Sequence, residues 1–210
     1  SITIYRMFLG IQDMSEKKLR TTVIGSYPQP SWLVDHDVLK AKIVPRVRAH
    51  DIWRINEAFL EEAQNDATLI AIRDQELAGV ECITDGEMRR LSFQSQMTEA
   101  VEGFGEVGLD AFIWGDWHGD DTLGPQKKKR PANLGITGRL RRKRSLSTEE
   151  FAYLRERTNR IAKVTLPSPS LFVNFWSLAH RPDAYNSLDA FLADVVAILR
   201  EEITELIQLG

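Results

Sequence analysis

A helix ending, a glycine, a short β-branched run and an acidic turn follow one another in Gln75-Glu76-Leu77-Ala78-Gly79-Val80-Glu81-Cys82-Ile83-Thr84-Asp85-Gly86-Glu87-Met88-Arg89-Arg90. That order constrains the rest of the chain more than any other feature does. Gly79 stands where a helix C-terminus favours a residue tolerant of positive φ. Residues 80–84 have the length and branching of a strand buried on both faces. Asp85-Gly86-Glu87 then places two carboxylates on the loop leaving the strand's C-terminal end. In α/β folds the loops at that end converge into a ligand-binding rim. A solvated acidic turn, with Gly86 supplying the bend, would present the same residues.

The segments on either side fit a βαβ arrangement. Residues 21–24, Thr-Thr-Val-Ile, form the first strand candidate, followed by Gly25-Ser26-Tyr27-Pro28-Gln29-Pro30. A glycine directly after a strand lets backbone approach a ligand, and neighbouring N–H groups can receive an anion. Residues 51–78 read as one long helix with Ile52, Ile55, Phe59, Ala63, Ala67, Ile70 and Leu77 on its apolar face. Glu57, Glu61, Asp66 and Arg73 fall on the opposite face. Strand, helix and buried strand in succession require a parallel pair joined by a crossover.

Beyond Arg90 the pattern loosens. Residues 91–101 read as a short helix, and residues 103–146 as an irregular or β-hairpin-like insertion projecting from the domain. The insertion carries two basic runs, Lys127-Lys128-Lys129-Arg130 and Arg139-Leu140-Arg141-Arg142-Lys143-Arg144. Such runs can contact nucleic acid, but a formal net charge of −3 over 210 residues argues against a dedicated binder. Ser147-Thr148-Glu149-Glu150 has the form of a capping box, with Leu146 and Phe151 placed as a hydrophobic staple for a helix reaching about residue 160. Residues 162–166 read as the third strand, ended by Pro167-Ser168-Pro169-Ser170. The last helix starts near Ser187 and carries Leu188, Phe191, Leu192, Val195, Leu199, Ile203 and Leu206 on its apolar side, up to Gly210.

Cys82 is the single cysteine, so no intrachain disulfide can form, and its mid-strand place suits a small buried hydrophobe. No apolar run approaches the roughly 20 residues that span a bilayer. The reading is a cytoplasmic protein. Residues 1–13 fit poorly with the rest of the chain and read as an upstream extension, leaving 14–210 as the folded unit.

With these residues in view, the chain resembles the catalytic domain of cobalamin-independent methionine synthase and its shorter relatives. The resemblance is carried by Thr22-Val23-Ile24-Gly25-Ser26-Tyr27-Pro28-Gln29, by Asp85-Gly86-Glu87, and by Val164-Thr165-Leu166-Pro167-Ser168-Pro169 followed by Asn174-Phe175-Trp176. It covers roughly residues 19–210 and departs from the family at Ser168, where a glycine is usual. It implies the N-terminal portion of a (β/α)₈ barrel, about three βα units long, with its site at the C-terminal rim. It implies zinc-assisted transfer of a methyl group to the sulfur of homocysteine, the metal lowering the thiol's pKa. Folate or another donor would supply the methyl group.

By the same resemblance, the backbone of Ile24, Gly25 and Ser26 would hold the amino-acid carboxylate. Glu87 would bind its ammonium group and Asp85 would support the loop. Trp176, or Phe175 one residue away, would stack on a flat donor such as a pterin. The family's zinc ligands, a His-x-Cys pair, a Glu and a further Cys, have no counterpart among His36, His50, His118, His180 and Cys82, and are expected beyond residue 210. Two alternatives stand beside this reading. One is the same chemistry on another thiol such as coenzyme M, and the other is a non-catalytic fragment that pairs with a partner chain. Three parallel strands also leave open edges, so self-association is expected, with Leu192, Val195, Leu199, Ile203 and Leu206 partly exposed.

Overall fold

Thr22 bridges Cys82 in parallel, and Cys82–Ile83 (β1) pairs in parallel with Ile161–Ala162 (β4), so three segments lie side by side in chain order. The computed structural model describes residues 19–41, 50–92, 95–106, 134–176 and 183–210. Between and around the parallel segments run α1 (His36–Ala41), a 3-10 turn at His50–Ile52, α2 (Glu57–Leu77), α3 (Ser95–Ala100), β2 (Val101–Glu106), β3 (Leu134–Arg142), α4 (Thr148–Arg155), a 3-10 segment at Pro169–Phe175, and α5 (Leu188–Leu209). This is an α/β arrangement.

The parallel strands are shorter than residues 21–24, 80–84 and 162–166 led us to expect. The cause lies at Thr84. Its N–H donates to the Gln75 side chain and its carbonyl accepts from the same amide, so the backbone leaves the ladder there. Lys163 N to Ile83 O, at 2.8 Å, is the last bond across to the third segment.

The expected helix over residues 51–78 is also corrected. It begins at Glu57, because the Asn56 side chain caps it by accepting from Ala58 N at 2.9 Å. Its buried face is Ala67, Thr68, Ala71, Ile72 and Gln75. Phe59, Ile70 and Leu77, expected inside, are exposed. The helix ends as a Schellman motif: Val80 N reaches Gln75 O, Gly79 N reaches Glu76 O, and Gly79 has φ +74°.

The described part of the expected insertion, the antiparallel pair β2–β3, does not project; residues 107–133 lie outside the described residues. Val101, Phe104, Ile136 and Leu140 pack with Phe172, Phe175, Phe191 and Val195 in the largest apolar cluster. Phe104 meets Phe175 edge-on at 5.4 Å. The arginines of the second basic run are correspondingly paired: Arg139 with Asp194, Arg141 with Glu102, Arg142 with Glu202 and Glu205, and Arg144 lies 3.9 Å from Glu99. The first run, residues 127–130, lies outside the described residues.

Ser147 is the N-cap of α4, but it does not form the expected capping box. Its hydroxyl bonds Gln96, and Glu150 turns to Arg90. The helix start is held by Glu202 of α5, which accepts from Leu146 N, Ser147 N and the Thr148 hydroxyl. α4 ends at Arg155, short of residue 160. On α5, Val195, Leu199 and Leu206 are buried rather than partly exposed, while Leu192 is half-buried and Ile203 exposed. The hairpin and the Pro169–Phe175 segment supply the cover, through contacts with α5. Among the described residues no helix is long and apolar enough to cross a membrane.

Candidate functional site

The turn after β1 is built by its own side chains. Thr84 Oγ1 accepts from Gly86 N at 3.1 Å, and Asp85 Oδ1 accepts from Glu87 N at 3.1 Å. Gly86 has φ +75°, and a Cβ there would sit 3.0 Å from both the Ala71 and the Tyr27 Cβ. Only glycine lets α2, this turn and residue 27 meet so closely. The next residue, Glu87, also adopts a left-handed backbone, with φ +58°. A non-glycine residue held there costs about 1–3 kcal/mol, and such positions gather at ligand-holding sites.

Glu87 is the meeting point of three loops. Ser26 Oγ donates to its Oε2 at 2.5 Å, and Thr165 Oγ1 donates to its Oε1 at 2.9 Å. The Arg90 guanidinium lies 3.6 Å from Oε1. Backbone bonds fasten the loops to one another. Tyr27 N donates to Gly86 O at 3.0 Å, and the Gln29 amide reaches the carbonyls of Met88 and Arg90. Ser26 and Glu87 are 61 residues apart in the chain.

Arg90 stands behind Glu87, its side chain 1% exposed. Its Nε and Nη2 both donate to Glu150 Oε2, at 3.0 and 2.9 Å, and its Nη1 donates to Thr165 O and Oγ1. Burial pushes the Glu150 carboxyl up to about 7; Arg90 pulls it back and Asp85 adds to the push. Burial likewise raises Asp85, with Arg90 again opposing. Asp85 Oδ2 is buried and has no hydrogen-bond partner among the described residues.

The expected site residues fall into two groups. Ser26, Asp85 and Glu87 are brought together, with Gly25 (φ +84°, open space around it) and Ile24 (90% exposed) on the same turn as Ser26. Phe175 and Trp176 lie instead in the aromatic core. Trp176 stacks on Phe191 at 5.7 Å and meets Tyr185 edge-on, and Phe175 is buried against Phe104 and Phe172. One face of the Trp176 ring is thus already occupied, and neither residue touches the Glu87 cluster through a described contact. Ser168 has φ −66°, an ordinary conformation for any L-residue, so its departure from the family's glycine strains nothing.

Sequence reasoning placed none of Thr165, Arg90 and Glu150 in the site. Arg90 stood in plain sight after the acidic turn, while Glu150 was absorbed into the capping box. Neither residue's spacing reveals a partner 60 positions away. As for zinc, no group of three or more His, Cys, Asp or Glu among the described residues could hold a metal ion. His36 bonds the Gln29 carbonyl, His50 faces Glu99, and Cys82 lies in β1. The described residues do not fit the zinc site that the resemblance implies.

A buried carboxylate, Glu87, thus sits beside an exposed glycine turn. No family model matches the chain. Among curated proteins it is 29% identical to a methionine synthase of Sulfolobus acidocaldarius and 30% identical to one of Pyrococcus abyssi, each over 193 residues. Both matches cover 91% of this chain and 49% of the relative, so the chain spans about half the length of the curated relatives it matches. Among solved structures, a B12-independent methionine synthase of a Shewanella species, in complex with selenomethionine, superposes with a TM-score of 0.65 at 24% identity. It covers 91% of this chain and 49% of that one. A protein from Listeria monocytogenes described as a putative vitamin-B12-independent methionine synthase superposes at 0.55, with 19% identity, 92% of this chain and 51% of that one.

Proposed function

We propose, from the premise that this chain is a homologue of the archaeal methionine synthases, that it binds the amino-acid end of homocysteine for methyl transfer to the thiol. The Glu87 carboxylate takes the ammonium group. The backbone of Ile24, Gly25 and Ser26 takes the carboxylate, and Asp85 fixes the turn through its bond to Glu87 N. On this reading the loops sit at the C-terminal rim of a (β/α)₈ barrel, of which the three parallel segments are one part. The observation that carries the reading is the 2.5 Å bond from Ser26 to Glu87. It joins the two motifs that would hold opposite ends of one small zwitterion. The bound selenomethionine of the Shewanella structure supports the same ligand class on this fold.

Zinc activation of the thiol belongs to the reading only as an implication of the resemblance, because the described residues supply no ligand set. The chain's own contribution is binding and orientation. Ligand ammonium at Glu87 would compete with the Ser26 hydroxyl for Oε2, and the Thr165 hydroxyl would keep Oε1 in place.

Calorimetric titration of the purified protein with L-homocysteine, and with the analogue lacking the amino group, tests the reading. A charge-assisted hydrogen bond contributes about 1.5–3 kcal/mol, so the amino form should bind roughly 10–100-fold tighter. Glu87→Gln should erase most of that preference. Equal binding of the two ligands by the unaltered protein would overturn the proposal.

A further inference from the structure

The polar groups behind Glu87 form one continuous chain: Glu150, Arg90, Thr165, Glu87, Ser26. Its members come from α4, the turn after β1, the segment after β4 and the turn after Thr22, so four separate parts of the sequence converge on one carboxylate. The chemistry of the donors fixes the direction of each bond. A guanidinium carries only donors and a threonine hydroxyl has a single proton. Arg90 Nη1 donates to Thr165 Oγ1 at 2.9 Å and, at 3.1 Å, to the carbonyl of the same residue. The hydroxyl oxygen is therefore used as an acceptor on that side. Its one proton is left to point at Glu87 Oε1, 2.9 Å away.

Arg90 has no freedom to do otherwise. Two of its nitrogens are pinned by Glu150 Oε2, and its side chain is almost wholly buried. The guanidinium approaches Glu87 Oε1 only to 3.6 Å. That is too long for a hydrogen bond but short enough to act on the same oxygen that Thr165 holds. Oε1 of Glu87 is thereby fixed from the buried side by Thr165, and Oε2 accepts from the hydroxyl of the exposed Ser26 turn, which a ligand cation would displace.

We propose that Arg90, acting through the Thr165 hydroxyl, is a positioning residue that fixes one oxygen of Glu87 and presents the other to the cationic group of the ligand. This rests on the reading that Glu87 receives an ammonium group. Glu150 anchors Arg90, and Thr165 transmits its position.

The test measures a ratio: the affinity of the purified protein for L-homocysteine divided by that for the analogue lacking the amino group. Thr165→Val keeps the side-chain shape and removes the relay hydroxyl. It should lower the ratio by about five-fold, the worth of one hydrogen bond, and leave the amino-less analogue within about two-fold. Thr165→Ser should recover most of the ratio. Arg90→Lys, which keeps the charge but not the fork, should lower the ratio like Thr165→Val and carries the test if the valine variant fails to fold. A ratio unchanged in these variants, or equal weakening of both ligands, overturns the inference. Glu87→Gln separates the two claims. If that change leaves the ratio intact, the assignment of Glu87 itself is wrong. If it collapses the ratio and Thr165→Val does not, only the positioning role is lost.

Discussion

Gln75 and Thr84 are joined by two hydrogen bonds: the Gln75 Nε2 donates to Thr84 O at 2.9 Å, and Thr84 N donates to Gln75 Oε1 at 3.0 Å. A side chain on the last turn of α2 thus completes the backbone bonding of the residue leaving β1. It does the work of a neighbouring strand where no strand is paired, and it ends the ladder immediately before the acidic turn. Gln75 is 1% exposed, so neither bond can be replaced by bulk water.

Replacing Gln75 by Leu should therefore destabilise the protein by roughly 2–6 kcal/mol, the cost of leaving two buried backbone groups unpaired at 1–3 kcal/mol each. Urea unfolding monitored by tryptophan fluorescence checks this. A loss under about 1 kcal/mol would mean that the strand simply extends to take over both bonds.

Gly86→Ala should cost more than a backbone effect alone. A left-handed conformation costs an L-residue about 1–2 kcal/mol, and overpacking adds about 1–3 kcal/mol. The second cost arises because the new methyl would meet the Ala71 and Tyr27 Cβ atoms at 3.0 Å. Pairing it with Ala71→Gly should recover little in thermal melts, because the Tyr27 contact remains and a glycine inside α2 itself costs about 1 kcal/mol.

Stability should fall as pH rises from about 4.5 to about 7 because of Glu150. Its carboxyl is raised from 4.5 to about 7 by burial. A raised carboxyl is still protonated in the fold at pH values where the unfolded chain has already released its proton. The stabilisation is complete below about 4.5 and lost as pH approaches 7, amounting to roughly 3 kcal/mol over that window. Unfolding midpoints measured across it should decline in the unaltered protein and decline less in Glu150→Gln. Parallel curves for the two proteins would refute the assignment.

Glu202→Ala should be among the most damaging substitutions in the chain. Glu202 is fully buried and holds Arg142, the N–H groups of Leu146 and Ser147, and the Thr148 hydroxyl. Removing one partner of a buried ion pair costs about 3–5 kcal/mol. Limited proteolysis should show cleavage appearing near residues 144–150 in the variant, where α4 loses its start.

Much of the architecture was legible because local chemistry and the fold agree. Gly79 ends α2, Ser187 caps α5 by accepting from Ala190 N, and the acidic turn follows a parallel strand beside the Ser26 turn. The α2 face was misread for a physical reason. Small and polar residues, Ala67, Thr68, Ala71 and Gln75, face inward so that the helix can approach Gly86, while the bulkier Phe59, Ile70 and Leu77 are left outside. A count of apolar residues at helical spacing rewards size, and here closeness decided. The network behind Glu87 was illegible for a different reason. Its bonds span 60 to 78 residues, and nothing local to Arg90, Glu150 or Thr165 signals a distant partner. The capping box failed similarly, since Glu202 rather than the local Glu150 carboxylate takes the Ser147 N–H at the start of α4.

The grip of Glu202 on Ser147 also sets an order of events during synthesis. The two residues are 55 positions apart, so at 5–20 residues per second a ribosome needs roughly 3–11 s to make the second after the first. For that interval α4 has no anchor at its N-terminus. Glu150 lies on its first turn, so Arg90 and the Glu87 turn lack their backing too. Nascent chains arrested before residue 202 emerges should leave residues 144–155 open to protease, and longer ones should protect them. The acidic turn is translated early and finished late.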